Sequence, residues 1–388
     1  MAAHLTQEQI DEIGSRRAAG EYQMQIAVAM GIGTATVNKY CKEVSHPPIT
    51  KQTPVELRNA DFWRKRAKEN GEALALSQHT LAQVAGLMER PPAPPVWGLP
   101  RPGKMGRAAG LLHISDLHNG EVVKPAEILG LNAYNVSIAR RRFRQLITAT
   151  CAILPRWAAD SKLDGIVVAL NGDLVSGEIH DELRRTNEIE TGDQVDFTID
   201  ECAAGFTLLA DEFGKVDVYV TCGNHGRTTI KSHAKHTAAL NYDTLIGKQL
   251  ARHFARDPRV TIHVSASRDC EYSILGQRVL QTHGDQGGGG GQGFAGPVLP
   301  VARKAKAIEF MSAQTRDFYD IILTAHHHFS THPTRKVFGN GSVVGYGEFA
   351  RSIRASPEAP MQWLMLVTER WGVREHAEIV LDKLGGWK

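Results

Sequence analysis

Five short blocks between residues 110 and 330 collect the residue types that bind divalent metal ions. They are Asp116-Leu117-His118, Asn171-Gly172-Asp173, Gly223-Asn224-His225, Thr282-His283-Gly284-Asp285 and Ala325-His326-His327-His328. One such block means little, because Gly-Asp after a strand is common and a lone histidine is more often a satisfied structural residue. Five blocks, each behind an apolar run, are hard to explain as caps and turns. The seven donors Asp116, His118, Asp173, Asn224, His283, His326 and His328 offer imidazole, carboxylate and amide but no thiolate. That set suits borderline-hard divalent ions: manganese first, with iron, zinc or cobalt also fitting. An aspartate can bridge two ions roughly 3.5–4 Å apart. Paired ions lower the pKa of a shared water, giving a hydroxide nucleophile, and neutralise charge on phosphoryl oxygens during in-line displacement. The chemistry to expect is phosphoester hydrolysis.

The elements that must position these donors alternate between strand-like and helix-like. Strands are predicted at 110–114, 165–170, 216–221, 260–264, 272–282, 321–324, 343–346 and 363–368, with helices notably at 136–157 and 195–213. This is an α/β pattern, and most of the polar residues of interest come immediately after a strand, where α/β sheets gather their ligands.

The dispersed order D-x-H, G-D, G-N-H, H and H-x-H resembles the calcineurin-like metallophosphoesterase family over about residues 110–330. The resemblance implies a two-sheet β-sandwich flanked by helices rather than one doubly wound sheet. It implies that Asp116, His118 and His328 hold one ion, that Asn224, His283 and His326 hold the other, and that Asp173 bridges them. It makes His225 the catalytic histidine, steadying the transition state or protonating the leaving oxygen. The chain departs from the family in three places. Ser176 and Gly177 precede Glu178 where a second acid often comes sooner, Gly226-Arg227 follows His225 where an acid is frequent, and Ala325 stands where glycine is usual. The block from Ser115 to Gly120 is also similar to the first motif of the nuclease subunits in double-strand-break repair complexes, with Asn119 replacing an apolar residue.

Other residues near these blocks have two readings each. Arg227 is a candidate phosphate clamp, because a guanidinium matches phosphate geometry, and His180 is a candidate substrate contact. The glycine run 287–291 is a flap over the site or merely a loose loop. Arg140, Arg141, Arg142 and Arg144 on one helix, and Arg184-Arg185, read as solvated surface more readily than as a phosphate-binding track. His113 reads as structural, and His327 as pointing away from the ions that its neighbours ligate.

The N-terminal part is different in kind. Residues 1–46 are helical, 47–107 form a linker with a long helix at 54–89 and proline-rich ends, and 108–388 form the metallophosphoesterase-like domain. Ala27 and Gly31 are small at i, i+4, Gly31 supplies a tight turn, and Val37 and Tyr40 face back. This small all-α segment resembles a helix-turn-helix of the resolvase and transposase type, with an ordinary helical hairpin as the plainer reading. The resemblance makes Thr34, Thr36, Asn38, Lys39 and Lys42 candidates to reach DNA phosphates or base edges. On the long helix, Trp63, Ala67, Asn70, Leu74, Ser77, Leu81, Val84 and Met88 follow a 3-4 spacing. That fits a homodimer seam or a helix packed along its own domain.

Bulk properties narrow the rest. Net charge is +3 over 388 residues, with 14 Lys/Arg against 10 Asp/Glu in residues 1–110 and 31 against 32 in the remainder. The basic excess therefore lies N-terminal. No apolar run approaches the roughly 18–20 residues of a membrane helix. The five scattered cysteines fit a reducing, cytoplasmic setting. The leading expectation is a dinuclear-metal phosphodiester hydrolase, a DNA nuclease or DNA-processing phosphodiesterase with DNA as partner. Two alternatives remain: a phosphomonoesterase or cyclic-nucleotide phosphodiesterase with an oligomerising N-terminal module, and a DNA-binding regulatory protein with a vestigial metal site.

Overall fold

The computed structural model describes residues 5–41, 60–89, 106–286, 298–316 and 318–385. The chain divides into two compact units, Met1–Gly98 and Leu99–Lys388. The first contains α1 (Gln7–Ala18), α2 (Gln23–Met30), α3 (Thr34–Cys41) and α4 (Ala60–Glu89). Helices α1–α3 close around Ile13, Ile26, Ala27, Val37 and Cys41. Gly31 caps α2 in the left-handed region at φ +62°, a conformation that costs glycine least. Along α4 the apolar row is exposed, Trp63, Leu74, Leu81 and Val84 included.

The second unit is a four-layer stack. Its elements run β1 (Arg107–Ile114), α5 (Val136–Trp157), β2 (Lys162–Asn171), α6 (Asp181–Thr186), α7 (Thr191–Phe213), β3 (Val216–Thr221), α8 (Tyr242–His253), β4 (Val260–Val264), β5 (Asp269–Ile274), β6 (Gln277–Thr282), α9 (Val298–Thr315), β7 (Ile321–Thr324), β8 (Thr331–Thr334), β9 (Val337–Gly339), α10 (Glu348–Ser352), β10 (Met361–Thr368) and β11 (Gly372–Val380). One sheet has the order β11-β10-β1-β2-β3-β4 and the other β5-β6-β7-β9-β8. This is the predicted two-sheet sandwich flanked by helices, beside a separate all-α N-terminal unit.

Period-two alternation explains why two sheets stack. In β2, Ile166, Val168 and Leu170 join the core under α5, α7 and α8, while Val167 and Ala169 turn to the core between the sheets. In β10, Leu364 and Leu366 take the first side and Trp363, Met365 and Val367 the second. Such strands are buried on both faces and so read as continuous apolar runs. A third cluster, Leu280, Ile322 and Val337 with Val301 and Ala305, seats α9 on the second sheet. Because β1, β2 and β3 are mutually parallel, and β6 and β7 are parallel, their C-terminal ends all open on one rim.

Four details differ from the sequence-based expectation. Residues 272–282 form a hairpin, β5 and β6, turning at Leu275-Gly276 with both residues at positive φ. Residues 343–346 are not a strand. They are held as irregular chain because the Arg142 guanidinium donates to the carbonyls of Val343 and Val344, and Asn132 Nδ2 donates to those of Val344 and Tyr346. Strands β8, β9 and β11 were not anticipated. Finally, Arg142 is fully buried rather than solvated or on a phosphate track. It also reaches Asn132 Oδ1 at 2.7 Å and Asp382 Oδ2 at 3.4 Å. Its neighbours Arg140 and Arg144 pair with Glu201, and Arg141 with Asp382.

Replacing Arg142 would take a donor from three carbonyls, those of Ala133, Val343 and Val344, and from Asn132 and Asp382 inside the protein. Arg142→Leu should therefore cost about 3–5 kcal/mol, seen as a lowered urea midpoint; an unchanged midpoint would show that this guanidinium is not a structural clamp.

Candidate metal centre

Each strand end on the common rim delivers one block. Strand β1 leads to Asp116 and His118, β2 to Asp173, β3 to Asn224 and His225, β6 to His283, and β7 to His326 and His328. The chain must turn sharply there. Asp116, His118, Asp173, His326 and His328 all have φ between +46° and +72°. Side chains other than glycine seldom occupy that region, and strain of this kind concentrates at functional sites. The glycines of the motifs have a packing reason. A Cβ on Gly172 would strike the backbone of Gly223, and a Cβ on Gly223 would strike the Asp173 carboxylate.

The structure brings six of the seven predicted donors and His225 into one cluster, and Asn224 lines the same cleft. Asp116, His118 and His328 place a donor atom each within 4.8 Å of one another, and so do Asp173, His283 and His326. A third grouping, His118, Asp173 and His225, joins the two. His328 Nε2 lies 3.1 Å from His118 Nε2 and 3.3 Å from Asp116 Oδ1. His283 Nε2 lies 2.9 Å from Asp173 Oδ2, and His118 Nε2 lies 3.9 Å from the same oxygen. Asp173 therefore stands between both sets, where a bridging carboxylate belongs.

Several observations fit divalent cations to this cluster. Asn224 Oδ1 is buried without a hydrogen-bond partner. An orphaned buried oxygen is costly unless a ligand completes it. His283 Nδ1 is held by the Asn171 carbonyl at 2.8 Å, which fixes the tautomer and turns Nε2 inward, the usual support of a ligating histidine. Burial works against charge on the imidazoles of His118 and His283. For His118 the Glu121, Asp173 and Asp116 carboxylates outweigh burial and bring it to about 9; for His283, Asp173 and Asp116 bring it to about 10. Asp173 is held well below the usual carboxylate range because His283 and His225 overcome its burial. The site thus attracts positive charge strongly. Divalent ions would meet that demand in place of protons.

His225 differs from the ligands. Its Nδ1 contacts the Ser176 carbonyl at 2.9 Å, and its ring lies 4.4 Å from that of His118. Burial, then His118, pushes it down to about 4. His180 is exposed on the wall of the cleft, its ring 6.0 Å from that of His225. Arg227 is anchored elsewhere: its guanidinium donates to the carbonyls of Thr229, Asn224 and Ile230. These three contacts brace the loop behind Asn224. His113 is buried against Asn171, as expected of a structural residue. His327 lines the cleft with its two neighbours but joins none of the three donor groupings. The glycine run 287–291 lies outside the described residues.

Three supporting residues went unread in the sequence. Asp243 accepts from the backbone N–H of Asp173, Leu174 and Gly223, tying the β2 and β3 loops together. Burial and the nearby Asp173 raise its carboxyl to about 6. Glu121 lies 3.1 Å from His118 Nδ1. Gln362 accepts from the Ser115 N–H and from Asn340, holding the β1 loop. The one available signal was Asn241-Tyr242-Asp243, a helix-start pattern, which by itself says nothing about a site.

No protein-family model matches the chain, and no curated protein matches it. Solved structures similar to it include a conserved uncharacterized protein from Streptococcus pneumoniae described as a predicted phosphoesterase, at 11% identity over 72% of this chain and 92% of that one, TM-score 0.28. Vps29 complexed with zinc from Entamoeba histolytica is 12% identical over 70% and 99%, TM-score 0.28. A dimetal phosphatase from Danio rerio is 11% identical over 70% and 99%, TM-score 0.32. Likeness at this level carries nothing about activity, so the site stands on its own geometry.

Manganese at a hundred times its Kd should stabilise the protein by about 2.7 kcal/mol relative to EDTA-treated protein, read as a rise in Tm that His283→Ala removes. Because His118 at about 9 and His283 at about 10 must lose protons to ligate, affinity should increase with pH from 6 to 9. A Tm indifferent to metal, or affinity flat across that range, would contradict the assignment.

Proposed function

We propose that the protein is a dinuclear-metal-dependent phosphodiester hydrolase whose substrate is DNA. The observation that carries the hydrolase reading is the convergence of six of the seven donors in one cluster, with Asn224 lining the same cleft and its Oδ1 buried without a hydrogen-bond partner. Asp116, His118 and His328 would hold one ion and Asn224, His283 and His326 the other, with Asp173 shared. When bound, a pair of divalent ions activates water near neutral pH and offsets the charge of a phosphoryl group. Manganese is the first choice by donor type.

The chain's own residues do the rest. Glu121 and the Asn171 carbonyl orient His118 and His283. Asp243 fixes the two loops that carry Asp173 and Asn224. His225, held at Nδ1 by Ser176, is neutral near pH 7 when alone; an approaching phosphate anion favours its protonated form. It can then hydrogen-bond the phosphoryl group or give its proton to the leaving oxygen. The site opens into a cleft of about 930 Å³, lined by His118, Asp173, His180 and His225 among others, which is roomy enough for part of a polymer.

DNA as the substrate rests on the N-terminal unit. Thr34, Asn38 and Lys39 are exposed along α3 and Thr36 is half-buried; Lys42 lies outside the described residues. A helix-turn-helix would place such residues at phosphates and base edges. We also read the exposed row on α4 as a seam for a second copy. A phosphomonoesterase reading is favoured by one observation: Glu121, Glu127, Glu182, Glu348 and Glu358 line the same cleft and repel a polyanion. A regulatory protein with a vestigial site is disfavoured by the complete donor set.

With manganese, purified protein should cleave DNA and a chromogenic phosphodiester faster than a monoester. Asp173→Ala should fall to background. His225→Ala should lose about 10²–10⁴-fold in turnover while keeping its metal. Deleting residues 1–46 should weaken DNA binding and leave small-ester turnover unchanged. Intact DNA beside a hydrolysed monoester would overturn the substrate; full activity in Asp173→Ala would overturn the centre.

A further inference from the structure

The cleft carries aromatic side chains as well as the metal-binding donors. Phe329, Tyr346 and Phe349 line it. Phe349, on α10, is 75% exposed. Exposed apolar side chains are ordinary in themselves, but this one is not on a loose loop. The chain leading to it is pinned by Arg142 and Asn132 at residues 343–346, and Lys124 N–H donates to Glu348 Oε1 at 2.7 Å. An exposed aromatic ring is thus held in place on the cleft that also carries the metal-binding donors.

The cations around it fall into two groups. Lys124 is 3.6 Å from Glu127 and Arg185 is 3.1 Å from Asp181, so both have partners. Arg303, Lys304 and Arg354 also line the cleft, and none makes a side-chain hydrogen bond or ion pair among the described residues. Lys304 is half-buried on α9 and has only the longer-range attraction of Asp285. A half-buried ammonium without a close counter-ion is unfavourable until an anion arrives.

Flat apolar ring and unpaired cations in one cleft have a joint use. A nucleotide presents a π-face on one side and anionic phosphates on the other. Stacking on an aromatic side chain tolerates any base, and cations follow the backbone. A base inside a duplex offers no free face. Resting on the nucleic-acid reading above, we propose that the cleft takes single-stranded DNA, with Phe349 as the stacking platform for an unpaired base and Lys304 and Arg354 as contacts to flanking phosphates.

The test uses the full chain with manganese and a fluorescein-labelled phosphorothioate tetrathymidylate, which resists cleavage and is too short for a helix-turn-helix half-site. An abasic phosphorothioate tetramer is the control. Phe349→Ala should weaken tetrathymidylate binding roughly 5- to 100-fold and leave the abasic tetramer within about twofold, while Phe349→Trp restores binding. Lys304→Ala should weaken both. An equal effect of Phe349→Ala on the two tetramers, or none on either, overturns the platform. Turnover of the small chromogenic phosphodiester is measured in the same preparations. If it persists while the base effect is absent, only this inference falls; if it is absent while the base effect is present, the hydrolase reading falls and the platform stands.

Discussion

The buried carboxylates of Asp116 and Asp173 are the constraint around which the second unit is arranged. Both are essentially shut off from water, and a lone buried carboxylate is too costly to remain ionised. Each needs positive charge supplied locally. The surrounding imidazoles provide some of it, and the cluster's geometry invites divalent ions to provide the rest. That requirement explains why the strand ends must meet so tightly, why five donor-bearing residues accept left-handed backbone, and why glycines stand at positions 172 and 223 where two loops nearly touch.

The layered fold is what makes such strain bearable. Strands β1, β2 and β10 are packed on both faces, so their ends cannot shift to relieve the turns. Buried polar contacts then lock the loops in place. Asp243 ties the β2 and β3 loops, and Gln362 with Asn340 holds the β1 loop. The same logic reaches the irregular chain at 343–346, which Arg142 ties to α5 and whose Val343 N–H donates to the Asp116 carbonyl. Positioning and rigidity come from hydrogen bonds that reach well into the interior rather than from the site alone.

Much of this was legible in the sequence. The donor blocks could be read because each couples a strand-sized apolar run to a ligand-bearing turn, and the central strands because doubly buried strands are continuously apolar. What escaped reading was of another kind. The hairpin of β5 and β6 hides its turn in Leu275-Gly276, with no Asn-Gly or Asp-Gly to announce it. The edge strand β11 carries Arg374, Glu375, His376 and Glu378, and so lacks an apolar run. Residues 343–346 look like a strand because Val-Val is β-prone, but tertiary hydrogen bonds override that preference. Asp243 and Arg142 look like ordinary surface charges until the partners they satisfy, many residues away, are known. Arg227 invites a phosphate-clamp reading by its place beside His225, and its nitrogens serve three nearby carbonyls.

On the proposed reading, Asp173 joins two ion sites rather than supporting one. Anomalous diffraction from crystals grown with manganese measures this directly. It should show two peaks roughly 3.5–4 Å apart, one bounded by Asp116, His118 and His328, the other by Asn224, His283 and His326, with Asp173 touching both. A single peak, or two peaks that do not share Asp173, would contradict it.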